Sequence, residues 1–299
     1  WRYFDTDDPT HPGSSELSNV IVDFHHFLDE CIGQLESAAG EDAILMIISD
    51  HGHTRRPPLF FNLNQLLLEN GLLKSRIRGP KLISPRYILE RIKNSTLETL
   101  HRLDREDLAY RIAHLFPWTR KLKNGDFLTE PSANLATASE FGGNNPFGGV
   151  EISKERCAAE GIEYEAMRDR IIDLLLGTTD ENSEPVFAWV KRREEIYKGT
   201  FINKFPDLLY EMKPCYGTNW SLHLPLITVN PRHRKISGGH RANSVLIVGP
   251  LDGWRINRSR ISPLNITATV LNVLSNGAAG NEVPPGKRRE KGQSFLEKD

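Results

Sequence analysis

Three short clusters carry side chains able to do chemistry. Ser49-Asp50-His51-Gly52 follows the apolar run Ile44 to Ile48. Asp7-Asp8-Pro9-Thr10-His11 lies near the start, with Asp7 and His11 four residues apart, and His240 stands in Ser237-Gly238-Gly239-His240-Arg241 near the end. Carboxylate and imidazole together form a donor set suited to a divalent ion such as Zn²⁺ or Mn²⁺. A strand closing on Asp50 and His51 presents both beyond its carboxyl end, where open α/β sheets bind ligands, and Gly52 permits a sharp bend. Each cluster also has a plainer reading. Asp7 to His11 reads as an acidic surface loop, with Asp8 competing as its acid. Asp50 and His51 read as a helix-capping aspartate beside a hydrogen-bonded histidine, and His240 as an ordinary loop histidine.

The other candidates are less informative. Arg55, Arg56 and Arg241 lie close in sequence to the acids and histidines. Guanidinium suits phosphate, although surface arginines need no substrate. His25 and His26 fall within a helical pattern, His101 and His114 on polar helices, and His223 and His233 in loop-like sequence. His53 lines the same stretch as His51.

The elements that must position these residues follow from periodicity. Trp1 to Gly13 is a polar loop, and Ser14 or Ser15 can cap the helix after it. Leu17, Ile21, Phe24, Leu28, Ile32 and Leu35 recur at three- and four-residue spacing and predict an amphipathic helix ending near Gly40. The unbroken apolar run before Ser49 reads as a strand buried on both faces, as in parallel sheets. An extended piece and short helix over Phe60 to Leu68 stop at Asn70-Gly71. Helices are predicted at Pro85 to Lys93 and Leu97 to Phe116, with a long Asn/Gly-rich loop from Pro117 to Gly149. Glu163 to Leu176 predicts a helix and Val186 to Val190 a strand. A strand follows Phe205-Pro206-Asp207, another runs from Ser244 to Val248, and Ile261 to Leu274 predicts a final helix. This alternation predicts an α/β fold, a doubly wound mostly parallel sheet flanked by helices.

Bulk properties narrow the function classes. The chain has 299 residues with 38% hydrophobic and 26% charged content, ordinary for a globular protein. Its formal net charge of -1 supplies no basic field for nucleic acid or anionic membrane. Cys31, Cys157 and Cys215 form no Cys-x-x-Cys pair, which argues against a disulfide framework or a cysteine zinc site and suits a reducing, cytoplasmic setting. No apolar run reaches the ~18 residues of a membrane helix, and no signal peptide is visible. The chain opens at Trp1 without methionine, so it reads as a segment of something longer.

Taken in order, Asp-x-x-x-His, Asp-His-Gly at a strand end and Gly-x-His near the C-terminus resemble the alkaline phosphatase superfamily. The closest likeness is to its type I phosphodiesterase / nucleotide pyrophosphatase branch. Asn64-Gln65-Leu66-Leu67-Leu68-Glu69-Asn70-Gly71-Leu72-Leu73 and Arg193-Glu194-Glu195-Ile196-Tyr197-Lys198-Gly199 with Pro206-Asp207 are similar to a predicted phosphohydrolase/phosphomutase group. Gly239-His240-Arg241 before Val245 to Pro250, and Ile261 to Leu271, continue the match.

The resemblance implies an alkaline-phosphatase-like core formed by residues 1–74 and 236–299, with the N-terminal part of the sheet absent. Residues 75–235 would be an inserted helical and loop-rich subdomain shaping the substrate pocket. It also implies two divalent ions, Zn or Mn, with Asp7, His11 and His240 on one and Asp50 and His51 on the other. The catalytic Ser or Thr nucleophile, and a further Asp ligand, would lie upstream of Trp1. The expected activity is hydrolysis of a small phosphorylated substrate, with no nucleic-acid polymer and no membrane as partner. A phosphomutase, a sulfatase, or a non-catalytic module braced by metal are the competing readings.

Overall fold

The computed structural model describes residues 1–75, 129, 131–139, 145–230, 233–258, 261–277 and 293–298, with isolated positions between 92 and 108. The helices read at Pro85 to Lys93 and Leu97 to Phe116 fall largely outside the described residues. So does much of the loop from Pro117 to Gly149. Two compact units divide the chain: Trp1–Asn19 with Thr54–His240, and Val20–His53 with Arg241–Asp299.

In chain order the main described helices are α1 (Val20–Ala39), α2 (Leu63–Glu69), α3 (Lys154–Ala159), α4 (Tyr164–Leu176), α5 (Arg193–Ile196) and α6 (Pro263–Gly277). The strands are β1 (Leu45–Ile48), β2 (Gly52–Arg55), β3 (Leu59–Asn62), β4 (Ala136–Ser139), β5 (Phe147–Ile152), β6 (Phe187–Arg192) and β7 (Leu208–Met212). They continue with β8 (Tyr216–Asn219), β9 (Ile227–Val229), β10 (Gly238–Arg241), β11 (Leu246–Gly249), β12 (Trp254–Ile256) and β13 (Leu296–Lys298).

The first unit holds the main hydrophobic core. Its four-stranded sheet runs in the order β4-β5-β7-β6, and every pairing in it is antiparallel. Helix α4 starts where Glu163 accepts a hydrogen bond from the Ala166 amide at 2.7 Å, which satisfies one of the orphan N–H groups of a helix start. Met167, Ile171 and Leu175, spaced four residues apart, form one buried stripe of α4 and pack with Val150, Val186 and Leu208. A three-stranded sheet places β3 between parallel β8 and antiparallel β9. Helix α2 leaves β3 directly and stops at Gly71, whose φ of 72° suits a residue without a Cβ. Ile171 is fully buried. Ile171→Ala should therefore cost about 2–5 kcal/mol, read as a lower urea midpoint with an unchanged slope.

A buried polar hub closes this unit. The Asp207 carboxylate accepts from the Ile152 amide at 2.7 Å and from the Tyr164 hydroxyl at 2.5 Å, and it pairs with Arg193 at 3.1 Å. Arg168, also buried, donates to the Asp207 carbonyl at 3.0 Å and pairs with Glu194 and Glu165. Burial and the neighbouring Asp207 carboxylate push the Tyr164 hydroxyl's pKa up. Burial raises the pKa of Glu194, but hydrogen bonds from Arg168, a backbone amide and Arg193, together with the Arg168 charge, outweigh it and hold the carboxyl below its ordinary value of 4.5. A depressed folded-state pKa adds stability that is present above the unfolded value and lost as pH falls through the folded one. Stability measured by urea titration should therefore fall as pH drops below the ordinary value of 4.5, and Glu194→Gln should flatten part of that fall.

The second unit corrects the expected fold class. Strand β1 pairs antiparallel with β11, Leu45 opposite Gly249 and Ile48 opposite Leu246, in a sheet of two strands. Ile48 and Ile247 are 48% and 56% exposed, so the pair is not covered on both faces as a central parallel strand would be. Sheets among the described residues have two to four strands, and their pairings are mostly antiparallel. The doubly wound, mostly parallel sheet is therefore not what these residues form. An unbroken apolar run suits a short antiparallel strand as well as a central parallel one, since strand direction depends on a partner distant in sequence. Helix α1 has no buried residue. Helix α6 buries Thr269, whose hydroxyl accepts from the Phe295 amide at 3.0 Å, beside β13.

Candidate metal-ligand clusters

Asp50 and His51 sit immediately beyond β1. The Ser49 amide still donates to the Val245 carbonyl at 3.0 Å, so the strand pairing continues to the first residue of the motif. The Ser49 hydroxyl then donates to the His51 carbonyl and folds the chain into a tight turn. His51 Nδ1 lies 3.0 Å from the Gly52 carbonyl oxygen, which can only accept. In the neutral ring Nδ1 therefore carries the hydrogen and Nε2 the lone pair, the arrangement typical of a metal-binding histidine. Nε2 lies 3.5 Å from Asp50 Oδ1, and the two side chains are 45% and 88% exposed. A carboxylate oxygen and an imidazole nitrogen are thus brought close together on side chains that solvent reaches.

Gly52 is needed here for a steric reason. A Cβ at this position would lie 1.8 Å from the Asn243 carbonyl oxygen, which is backbone and cannot swing aside. Gly52→Ala should displace the turn and cost at least the ~1–3 kcal/mol of a forced overpacking. The check is a lower thermal midpoint together with shifted His51 ring resonances.

The first cluster is arranged differently from the sequence reading. Asp7 is exposed, its amide donates to Asp5 Oδ1 at 3.1 Å, and its carbonyl accepts from Arg55 at 2.6 Å. His11 is half-buried, and its Nδ1 accepts from the Gly13 amide at 3.1 Å. That bond puts the hydrogen of the neutral ring on Nε2, the opposite tautomer from His51. Asp8, the competing acid, is buried, and His233 Nε2 lies 2.8 and 3.0 Å from its two carboxylate oxygens. Oδ1 also accepts from the Thr10 amide and hydroxyl, at 2.8 and 2.7 Å. Burial raises the Asp8 pKa, but the hydrogen bonds from His233 and Thr10 prevail and hold it below the ordinary value of 3.8.

His240 is exposed on β10, which forms a two-stranded sheet with β2. Asp7, His11 and His240 belong to one unit, whereas Asp50 and His51 belong to the other. Among the described residues, no three His, Cys, Asp or Glu side chains are gathered as a metal-ligand group. Two of the arginines considered for an anionic substrate have structural partners. Arg55 approaches Asp5 at 3.6 Å as well as holding the Asp7 carbonyl, and Arg56 Nε donates to the Gly238 carbonyl at 3.2 Å. Sequence reasoning missed the Asp8–His233 pair. The only local signal was a second acid beside Asp7, because the partner lies 225 residues away.

No family model, curated protein or solved structure matches this chain. Among the described residues, no helix is long and apolar enough to cross a membrane.

Proposed function

We propose that this chain is the ligand-bearing part of a metal-dependent phosphoester hydrolase, with Asp50 and His51 as the core of one divalent-metal site. The observation that carries this reading is their geometry: a carboxylate and an Nε2 lone pair 3.5 Å apart, both exposed, at the end of β1. The donor types suit Zn²⁺ or Mn²⁺. Asp7, His11 and His240 are proposed for a second ion. His11 would bind through Nδ1 by giving up the Gly13 amide, or through Nε2 after its ring hydrogen moves.

Divalent ions bound at such sites polarise a phosphoryl oxygen, acidify an attacking hydroxyl and stabilise the leaving oxygen. The chain's own residues act as ligands and orienting groups. Asp50 supplies negative charge. The Gly52 carbonyl fixes the His51 tautomer, and the Ser49 hydroxyl fixes the turn by bonding the His51 carbonyl. Substrate would be a small phosphate ester.

The test is turnover of p-nitrophenyl phosphate and bis(p-nitrophenyl) phosphate by the full-length protein with Zn²⁺ or Mn²⁺. Loss of turnover in both Asp50→Ala and His240→Ala is the expected result. Zinc binding without turnover of either ester would favour a metal-braced interaction module instead.

A further inference from the structure

We infer that Asp8 and His233 are a positioning pair, which holds in shape the turn carrying Asp7 and His11 and anchors it to the chain leading into His240. Asp8 is bonded to nearly every part of that turn. Its amide donates to the Asp5 carbonyl at 3.1 Å, and its carbonyl accepts from the His11 amide at 2.9 Å. Its carboxylate takes the Thr10 amide and hydroxyl, and also faces His233 Nε2 through both oxygens. Asp7 and His11 are thus presented from a turn whose centre is a buried side chain.

The other half of the pair sits on a firm base. The His233 amide donates to the Asn230 carbonyl at 3.1 Å, while the Asn230 amide and side chain donate to the carbonyls of Pro58 and Pro57, each at 2.8 Å. Further along, the Ser237 hydroxyl accepts from the Arg2 amide at 2.9 Å, and the Ser237 carbonyl accepts from the Arg56 amide at 2.6 Å. The segment from His233 to His240 therefore carries the tie to the first turn and ends on a candidate ligand.

The chemistry of the pair explains its rigidity. An ionised carboxylate only accepts, so His233 Nε2 is the donor and, in the neutral ring, Nδ1 has the lone pair. Nδ1 is buried and has no hydrogen-bond partner among the described residues. The Asp8 side chain is 0% exposed and that of His233 1%, so neither has water to fall back on if the other is removed. Both are therefore committed to each other and closed to a metal, and their role is to place Asp7 and His11.

The inference rests on the metal reading of Asp7 and His11 only for its second readout. The first readout is the {¹H}-¹⁵N nuclear Overhauser effect of the Asp7 and His11 amides in the intact chain. Asp8→Ala and His233→Ala should drop both amides from rigid to flexible values. Asp8→Asn should restore order, because its amide can donate to a His233 of the other tautomer while its oxygen keeps Thr10. His233→Gln, which retains a donor near the carboxylate, should do the same if the alanine variants fail to fold.

The second readout is Zn²⁺ affinity in an Asp50→Ala background, which isolates the Asp7 cluster. There Asp8→Ala should weaken binding at least tenfold, as Asp7→Ala does, and Asp8→Asn should largely recover it. Amides as ordered in Asp8→Ala as in the parent would overturn the positioning role. So would Zn²⁺ binding that Asp7→Ala weakens and Asp8→Ala leaves intact. A turn that loosens in Asp8→Ala while Zn²⁺ affinity responds to neither Asp7→Ala nor Asp8→Ala would uphold the pair and remove the metal reading.

Discussion

Asp207→Ala is expected to destabilise the protein by about 3–5 kcal/mol, a large share of the ~5–15 kcal/mol that holds a typical domain folded. The size follows from what the carboxylate serves. Removing it strands the Ile152 amide and the Tyr164 hydroxyl, and it takes from the Arg193 guanidinium one of its two carboxylate partners among the described residues, the other being Glu194 at 3.0 Å. Arg193 is only 8% exposed at its side chain, so its buried charge would be left with the Glu194 carboxylate. Tyr164→Phe removes one of the three contacts and no charge, and should cost about 0.5–1.5 kcal/mol. Asp207→Asn should fall between the two. Urea denaturation of the three variants checks the ranking, and a cost below about 1 kcal/mol for Asp207→Ala would remove the hub from the account.

His51→Ala is expected to weaken Zn²⁺ or Mn²⁺ binding at the β1 end about 100-fold, an effect of about 2.7 kcal/mol. In a site built on two protein donors, losing the nitrogen leaves a lone exposed carboxylate. His51→Gln should recover little, since an amide oxygen is a far poorer ligand for zinc than imidazole nitrogen. Ser49→Ala separates positioning from ligation. It removes the hydroxyl that ties down the His51 carbonyl but neither donor, and should weaken binding by about tenfold at most, as the loss of an outer-shell partner does. Isothermal titration on the three variants gives the order. Equal losses in Ser49→Ala and His51→Ala would mean that the turn, not the imidazole, is what matters.

The sequence made the local elements legible and the pairings much less so. Helix α4 could be read from Glu163 and from Met167, Ile171 and Leu175, because a cap and an i, i+4 stripe are properties of neighbours along the chain. Gly40 and Gly71 likewise marked helix ends, and both have positive φ. Strand β1 was found in the right place but given the wrong partner geometry. Its composition is the same whether the neighbouring strand runs parallel or, as β11 does, antiparallel.

Long-range polar pairs left still less trace. Asp8 and His233 each look unremarkable in their own surroundings, and only folding brings them together. Arg193-Glu194-Glu195-Ile196 with Pro206-Asp207 entered the reading as landmarks of a resemblance. In the folded chain they form an architectural hub, and Asp207 and Arg193 are among its most buried members. Asp50 and His51 were legible as a pair because a strand end fixes two consecutive residues. Asp7 and His11 lie on a turn bonded through the Asp8 amide, carbonyl and carboxylate, and His240 lies on β10, far away in sequence.

The most direct test of the central claim is the metal stoichiometry and affinity of the chain, measured by Zn²⁺ titration with Asp50→Ala and His51→Ala alongside. The account predicts saturable binding that both substitutions weaken by at least tenfold while the thermal midpoint of the metal-free protein stays within a few degrees. Saturable Zn²⁺ binding that neither substitution alters, or no binding at millimolar Zn²⁺, would contradict it.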